Sequence, residues 1–235
     1  VYGRTVGSIY ALKYMYNCGL IGALLVHRSW RRVGIGTALL LKALTWLDLP
    51  YTYLFVDPGN TAAKGLFGKA GFKQLYRTLD KKLQSAHVWG EVEFEAEWDE
   101  LKSSVGFNER RGTARLGYYP VKLTEEVFDE LLKSGKVLRC GRAVAVIEES
   151  YEVWRGGYTF VFNRYILGEA GNLKPIIEVN PFYLECDVDS LRRLVGYLST
   201  RGAVIIRTYE SDPVATKLGL KGWLGAVIME YSRNI

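Results

Sequence analysis

The chain has 235 residues, is 49% hydrophobic and 24% charged, and carries a formal net charge of +6; this is an ordinary globular balance, with room for one large or two small domains. It contains no run of about 18 uncharged apolar residues and no secretory signal precedes its first strand, which argues against a membrane-spanning helix and a secreted scaffold. Three cysteines (Cys18, Cys140, Cys186) and two histidines (His27, His87) show no metal-ligand spacing, so no metal site is expected, and a cytoplasmic protein with buried thiols is.

Taken in chain order, the apolar run Gly19 to Val26 reads as a buried strand. It ends in a basic loop containing Arg28, Arg31 and Arg32. Gly34 and Gly36 then open an apolar helix that runs to about Leu47. Tyr51 to Val56 is a second strand, rich in β-branched and aromatic residues. Asp57-Pro58-Gly59 marks a turn, a short helix follows from Asn60, Gly71 stops it, and Phe72 enters another strand. A long lead-in from about Val88 to Glu149 includes a helix capped by Thr124, with Glu125 and Glu126 in its first turn and Gly135 past its end. Strand Arg142 to Ile147 comes next.

The loop between the first strand and first helix carries chemistry. A strand that breaks into a glycine turn at a helix start gathers free backbone N–H groups and the positive end of the helix dipole at one spot. The glycines let a phosphate approach the backbone, and Arg31 and Arg32 add charge. The bland alternative is an ordinary strand-loop-helix joint with surface arginines, since short glycine motifs recur by chance.

The two segments together resemble the GNAT superfamily of acyl-CoA-dependent N-acyltransferases. Val26, Arg31, Gly34, Ile35, Gly36 and Leu39 match its pyrophosphate motif, and Asn60, Ala63, Leu66, Gly71 and Phe72 match its second motif. The resemblance is closest over residues 19–80. It implies an α/β (α+β) fold with a mixed, splayed sheet flanked by helices. It also implies acetyl-CoA as cofactor and an amine acceptor, either a small molecule or a protein amine. The backbone of Leu25, Val26 and His27 would pair with the pantetheine arm. The amides of Arg31, Arg32, Val33, Gly34, Ile35, Gly36 and Thr37 would cradle the pyrophosphate. Asn60 and Phe67 would line the other side of the cleft, and the Val26 N–H would face the thioester carbonyl as an oxyanion donor.

Charge is uneven. Residues 1–83 hold 12 Lys/Arg against 3 Asp/Glu, while residues 84–235 hold 19 against 22. A basic segment beside a phosphate turn suits the strongly anionic coenzyme A. Nucleic acid is the weaker reading, because the charge is bunched at Arg28/Arg31/Arg32 and Lys64 to Lys82 rather than spread along an aromatic-bearing face.

There is an internal repeat at an offset of 151 residues. Gly71-Phe72 falls on Gly222-Trp223, Tyr51 to Val56 on Gly202 to Arg207, Val26 on Ile177, and Ile9 to Met15 on Phe160 to Ile166. Leu40, Leu44, Trp46 and Leu47 fall on Leu191, Val195, Tyr197 and Leu198. The expectation is two tandem units, 1–83 and 84–235, with the second degenerate. Arg31, Arg32, Gly34 and Gly36 fall on Phe182, Tyr183, Glu185 and Asp187, so carboxylates sit where a pyrophosphate would; Asn60 becomes Ser211 and Phe67 becomes Leu218. The lead-in of the second unit has no counterpart in the first, which therefore begins inside its fold, with a leading segment missing or its cover supplied by the second unit.

The catalytic groups are sparse. Acyl transfer needs a neutral amine, a positioned thioester and a proton route. Family members commonly place an acid or base on the strand before the loop, on the next strand, or as a tyrosine on the second helix. Here those places hold the apolar run Gly19 to Val26, Leu54 and Phe55, and Phe67. His27 is the remaining base candidate, against the alternative of a strand-end histidine facing solvent or phosphate. Tyr10, Tyr14 and Tyr16 are weaker candidates. Two function classes follow: an acetyl-CoA-dependent N-acetyltransferase, and a non-catalytic acyl-CoA-binding or scaffold protein. No membrane partner is implied, and a homodimer is left open.

Overall fold

The structure is a computed structural model and describes residues 3–83, 93, 95–117, 119–155, 158–163, 174–183, 187–217 and 223–233. Expectations placed on His87, 88–92, 164–166, Glu185, Cys186, Leu218 and Gly222 lie outside the described residues. In chain order the elements are β1 (Gly7–Tyr14), β2 (Cys18–Val26), α1 (Ile35–Leu47), β3 (Tyr51–Val56), α2 (Thr61–Lys69) and β4 (Lys73–Leu83). Then come α3 (Trp98–Ser103), α4 (Val105–Glu109), β5 (Thr113–Leu116), β6 (Tyr119–Lys122), α5 (Glu125–Lys133), β7 (Val137–Cys140), β8 (Ala143–Arg155) and β9 (Tyr158–Asn163). The chain continues with β10 (Lys174–Tyr183), α6 (Val188–Ser199), β11 (Ala203–Tyr209), α7 (Pro213–Lys217) and β12 (Trp223–Ser232). Two compact units result: Val1–Arg77 with Ala226–Ile235, and Thr78–Gly225.

In unit 1 the strands run in the order β1-β2-β3-β12-β4. β1 and β2 form an antiparallel hairpin around Tyr16 and Asn17, both left-handed (φ 57° and 52°); such a turn matches the right-handed strand twist and suits Asn. β2 and β3 are parallel, with α1 as the crossover between them. The last strand, β12, returns to pair antiparallel with β3, Tyr53 facing Glu230 and Val56 facing Val227. α1 buries Leu40, Ala43 and Leu47 at helical spacing against Ile21, Leu54 and Val56, and α2 contributes Phe67. Fully burying a leucine such as Leu40 contributes about 2 kcal/mol.

In unit 2, β10 and β11 are parallel with α6 between them, β10 pairs antiparallel with β8, β8 with β7, and β11 with the end of β4. α6 buries Leu191, Leu194, Val195 and Leu198 against Ile177, Val179, Val204 and Ile206. The opposite side of these strands is ionic. Arg207 is buried between Glu178 (Nε–Oε2 2.7 Å) and Asp80 (2.6 Å), and Asp80 also accepts from Arg115 at 2.8 Å. Burial works against the Arg207 charge, but Glu178 and Asp80 outweigh it and hold the guanidinium pKa above its usual value.

Each unit thus has an antiparallel strand leading into a parallel pair crossed by a helix. The counterpart of β1 is β8, which pairs with β10, and not the stretch from Phe160 suggested by the gapless offset: among the described residues β9 pairs with β8 alone. Sequence offset and topology part here because β8 and β9 form a hairpin of their own.

Candidate acyl-CoA site

The parallel ladder between β2 and β3 runs only from Cys18–Tyr51 to Ile21–Leu54. β2 continues to Val26 and β3 to Val56, so the strands part beyond Ile21 and Leu54. A bulge at Ala23 (φ 48°) and a register shift opposite Ser8 and Tyr10 accompany the parting. Beyond the bulge, the His27 N–H donates to the Val6 carbonyl at 2.8 Å. Backbone groups alternate sides along a strand, so those of Leu25 and His27 face β1, while those of Val26 and Leu24 face the open side. Of the three residues expected to offer backbone to a pantetheine arm, Val26 is the one whose N–H is turned to the open side. Leu25 and His27 have only their side chains to offer, and Leu25 is 64% exposed.

The loop that follows is built for its turn. His27 Nδ1 accepts from the Ser29 N–H at 3.3 Å and caps a short 3-10 turn, Arg28–Trp30. That bond uses a ring nitrogen a base would need. Arg31 Nε donates to the Val26 carbonyl at 3.0 Å and folds the loop back over the end of β2. Arg32 (φ 65°) and Gly34 (φ 88°) are both left-handed and turn the chain into α1, with Gly34 as N-cap. The first intrahelical bond runs from the Ala38 N–H to the Gly34 carbonyl, so the amides of Ile35, Gly36 and Thr37 precede the ladder and point out of the helix start. Among the described residues no side chain caps them. A Cβ on Gly36 would touch Val26 at 3.7 Å and Leu66 at 3.5 Å, and one on Gly34 would meet open space. These features fit an anionic diphosphate: donors without partners, glycines over them, arginines around them.

Asn60 and Phe67 have structural duties. Asn60 Oδ1 accepts from the Ala63 N–H at 3.0 Å and N-caps α2. Phe67 is 7% exposed, stacks tilted on Phe72 at 5.8 Å and belongs to the core. The expected cleft-lining position is therefore an inward-facing ring. Leu54 is likewise in the core. Tyr10 is exposed on β1. A titratable pair that motif reading missed lies on β3 and β12: the buried Tyr53 hydroxyl donates to Glu230 Oε2 at 2.9 Å. Burial, with Glu230 alongside, pushes the Tyr53 phenol well above the usual tyrosine range, so it stays protonated and acts as a donor. Alternation along β3 sets Tyr53 on the face opposite Leu54 and the two helices. No periodicity joins residues so distant in sequence; only the return of β12 does.

In unit 2 the equivalent helix start is occupied from within. Asp187 N-caps α6, accepting from the Asp189 and Ser190 amides at 2.9 and 3.2 Å and from Ser190 Oγ at 2.6 Å. The Ser190 bond leads the causes that hold its carboxyl below the usual range. Among the described residues no cluster of His, Cys, Asp or Glu could hold a metal ion, and no helix is long and apolar enough to cross a membrane.

Residues 2–72 match the acetyltransferase (GNAT) family. That match spans less than half of the 235 residues, and over it the chain is similar to that family. Among solved structures, a candidate acetyltransferase of Thermoplasma acidophilum shares the fold over 99% of this chain and 76% of its own, with TM-score 0.50 and 14% identity. A candidate acetyltransferase of Pyrococcus horikoshii aligns over 97% and 69% at TM-score 0.48 and 17% identity. A GCN5-related N-acetyltransferase of Sphaerobacter thermophilus aligns over 100% and 79% at TM-score 0.45 and 13% identity. No curated protein sequence matches significantly.

Proposed function

We propose that unit 1 binds acetyl-CoA and transfers its acetyl group to an amine. One observation carries the reading: β2 and β3 part after Ile21 and Leu54 directly beside the unpaired amides of the α1 start. When bound, acetyl-CoA supplies the activated acetyl thioester. The amides from Arg32 to Thr37, with Arg31 and Arg32, hold the diphosphate. The Val26 N–H, on the open side of β2, stands as hydrogen-bond donor to the carbonyl oxygen that gains charge. Holding amine and thioester together supplies the bulk of the rate. The acceptor arrives as a neutral amine, forms the amide bond as the thioester C–S bond breaks, and loses its proton to water, while the departing CoA thiolate takes a proton from water and leaves as free thiol.

A second reading is favoured by specific observations: Leu54 and Phe67 lie in the core, and the His27 Nδ1 is engaged by Ser29. On that reading the cleft binds acyl-CoA without turnover. The buried thiols Cys18 and Cys140 support a cytoplasmic setting for either. Calorimetry of the full chain with acetyl-CoA, followed by thiol release with a panel of primary amines, separates the two. We expect one acetyl-CoA per chain and thiol release with at least one amine class. Binding without release leaves the second reading, and absence of binding refutes both.

A further inference from the structure

Unit 2 repeats the parted strands of unit 1 and fills the gap with its own side chain. The β10·β11 ladder runs from Ile176–Ala203 to Val179–Ile206 and stops, although β10 continues to Tyr183 and β11 to Tyr209. Two residues past the last pair on each strand stand Pro181 and Thr208. Arg110, the C-cap of α4, reaches both: one guanidinium nitrogen donates to the Pro181 carbonyl at 2.9 Å and to Thr208 Oγ1 at 3.2 Å. The guanidinium also lies over the rings of Phe182 (4.7 Å) and Tyr209 (5.4 Å).

Arg110 is 1% exposed, yet among the described residues no carboxylate pairs with it directly. Its charge is met by strand groups, ring faces and a relay. Thr208 passes its own hydroxyl proton to a hydrogen bond with Asp212, and Asp212 accepts the Val214 and Ala215 amides at the start of α7. A buried cation without a partner acid is costly and persists only where the surroundings are built around it. Here the surroundings are two strand ends and two rings, the walls of the opening. The aromatic chain Trp98–Phe107–Phe182 anchors the helix that delivers it.

We propose that Arg110 is a resident plug: its guanidinium occupies the opening between β10 and β11, as Asp187 occupies the amides at the start of α6. Unit 2 is therefore a closed copy of the cleft, filled by the chain's own cation and anion, and takes no acyl-CoA. The comparison with unit 1 rests on the function proposed for that cleft. The occupancy of unit 2 does not.

The test is chemical rescue. Arg110→Ala leaves a guanidinium-shaped hole, and its melting temperature should fall by on the order of 10 °C. Millimolar methylguanidinium should restore much of that loss saturably, methylammonium should not, and wild type should respond to neither. A folded Arg110→Ala protein that gains nothing from methylguanidinium overturns the plug. Should Arg110→Ala fail to fold, Arg110→Lys serves: it keeps the charge but loses the planar face that stacks on Phe182 and Tyr209, so it should melt below wild type. Equal melting overturns the proposal. Native mass spectrometry of wild type with acetyl-CoA should show one bound molecule. Two would sink the closed cleft, whereas none would sink the function proposed for unit 1 and leave the rescue result standing.

Discussion

Gly36→Asp should separate binding from folding. Gly36 is the second residue of α1, and a Cβ there meets Val26 and Leu66 only at ordinary contact distances of 3.7 and 3.5 Å. The fold therefore accepts the side chain. A carboxylate in the first turn of a helix is favourable by about 0.3–1 kcal/mol, and replacing glycine adds a few tenths. The melting temperature should hold or rise. Binding should go the other way, because the same carboxylate occupies the space over the amides that the diphosphate needs. At about 5 Å and an effective dielectric of about 20, each unit of phosphate charge is repelled by about 3 kcal/mol. The turn is exposed, so halving this for solvent and salt leaves about 3 kcal/mol for two charges, or roughly a hundredfold in affinity. Calorimetry with acetyl-CoA beside a thermal melt reads both. Gly36→Ala, which adds bulk without charge, should cost less than about tenfold by the same scale. If Gly36→Asp binds acetyl-CoA as wild type does, the diphosphate does not sit on these amides, and the proposed site falls with it.

Gly34→Ala forces a Cβ into a left-handed conformation (φ 88°) with open space around it, so strain alone should cost about 1–2 kcal/mol in a melt, and an unchanged melt would show that the turn relaxes. The Tyr53 phenol should resist titration as pH passes the ordinary tyrosine range, while Tyr53→Phe should remove one slow-titrating tyrosine from the ultraviolet difference spectrum; normal titration of every tyrosine would count against the Glu230 bond. Asp187→Ala should destabilise by about 1 kcal/mol through loss of the α6 cap. Because the folded carboxyl titrates below its unfolded value, that contribution is complete above about pH 4 and is lost as pH falls through the lower folded pKa, so the gap between variant and wild type should close in acid.

Much of unit 1 was legible because its signals are local. Gly34 and Gly36 at the start of an apolar helix, the short helix from Asn60 that Gly71 (φ 96°) ends, and the β-branched and aromatic run of β3 are each written in neighbouring residues. What stayed hidden depends on pairings far apart in the chain. Phe67 matches a motif position on α2, yet which way its ring turns is decided by Phe72 and the sheet. Tyr53 and Glu230 are 177 residues apart, and Arg110 and Thr208 are 98 apart. The offset of 151 placed α6 and β11 well but matched β1 to the wrong strand, because similarity of pattern cannot say which of two hairpin strands lies next to β10.

The placement of β12 has a bearing on biosynthesis. β3 finds its antiparallel neighbour in Tyr51–Ser232 through Val56–Val227, so the sheet that carries the proposed cleft takes a strand from far along the sequence. A ribosome releases that strand only after unit 2 has emerged. Until then β3 has an unpaired edge and the apolar residues Val227 and Met229 are missing from the core. The glycine turn is thus translated before unit 2 while its sheet is completed after it, and a fragment ending at residue 83 would carry that turn without the strand that finishes its sheet. Supplying residues 223–233 in trans should recover the fragment's fold, which makes strand complementation a direct reporter of when this sheet is completed.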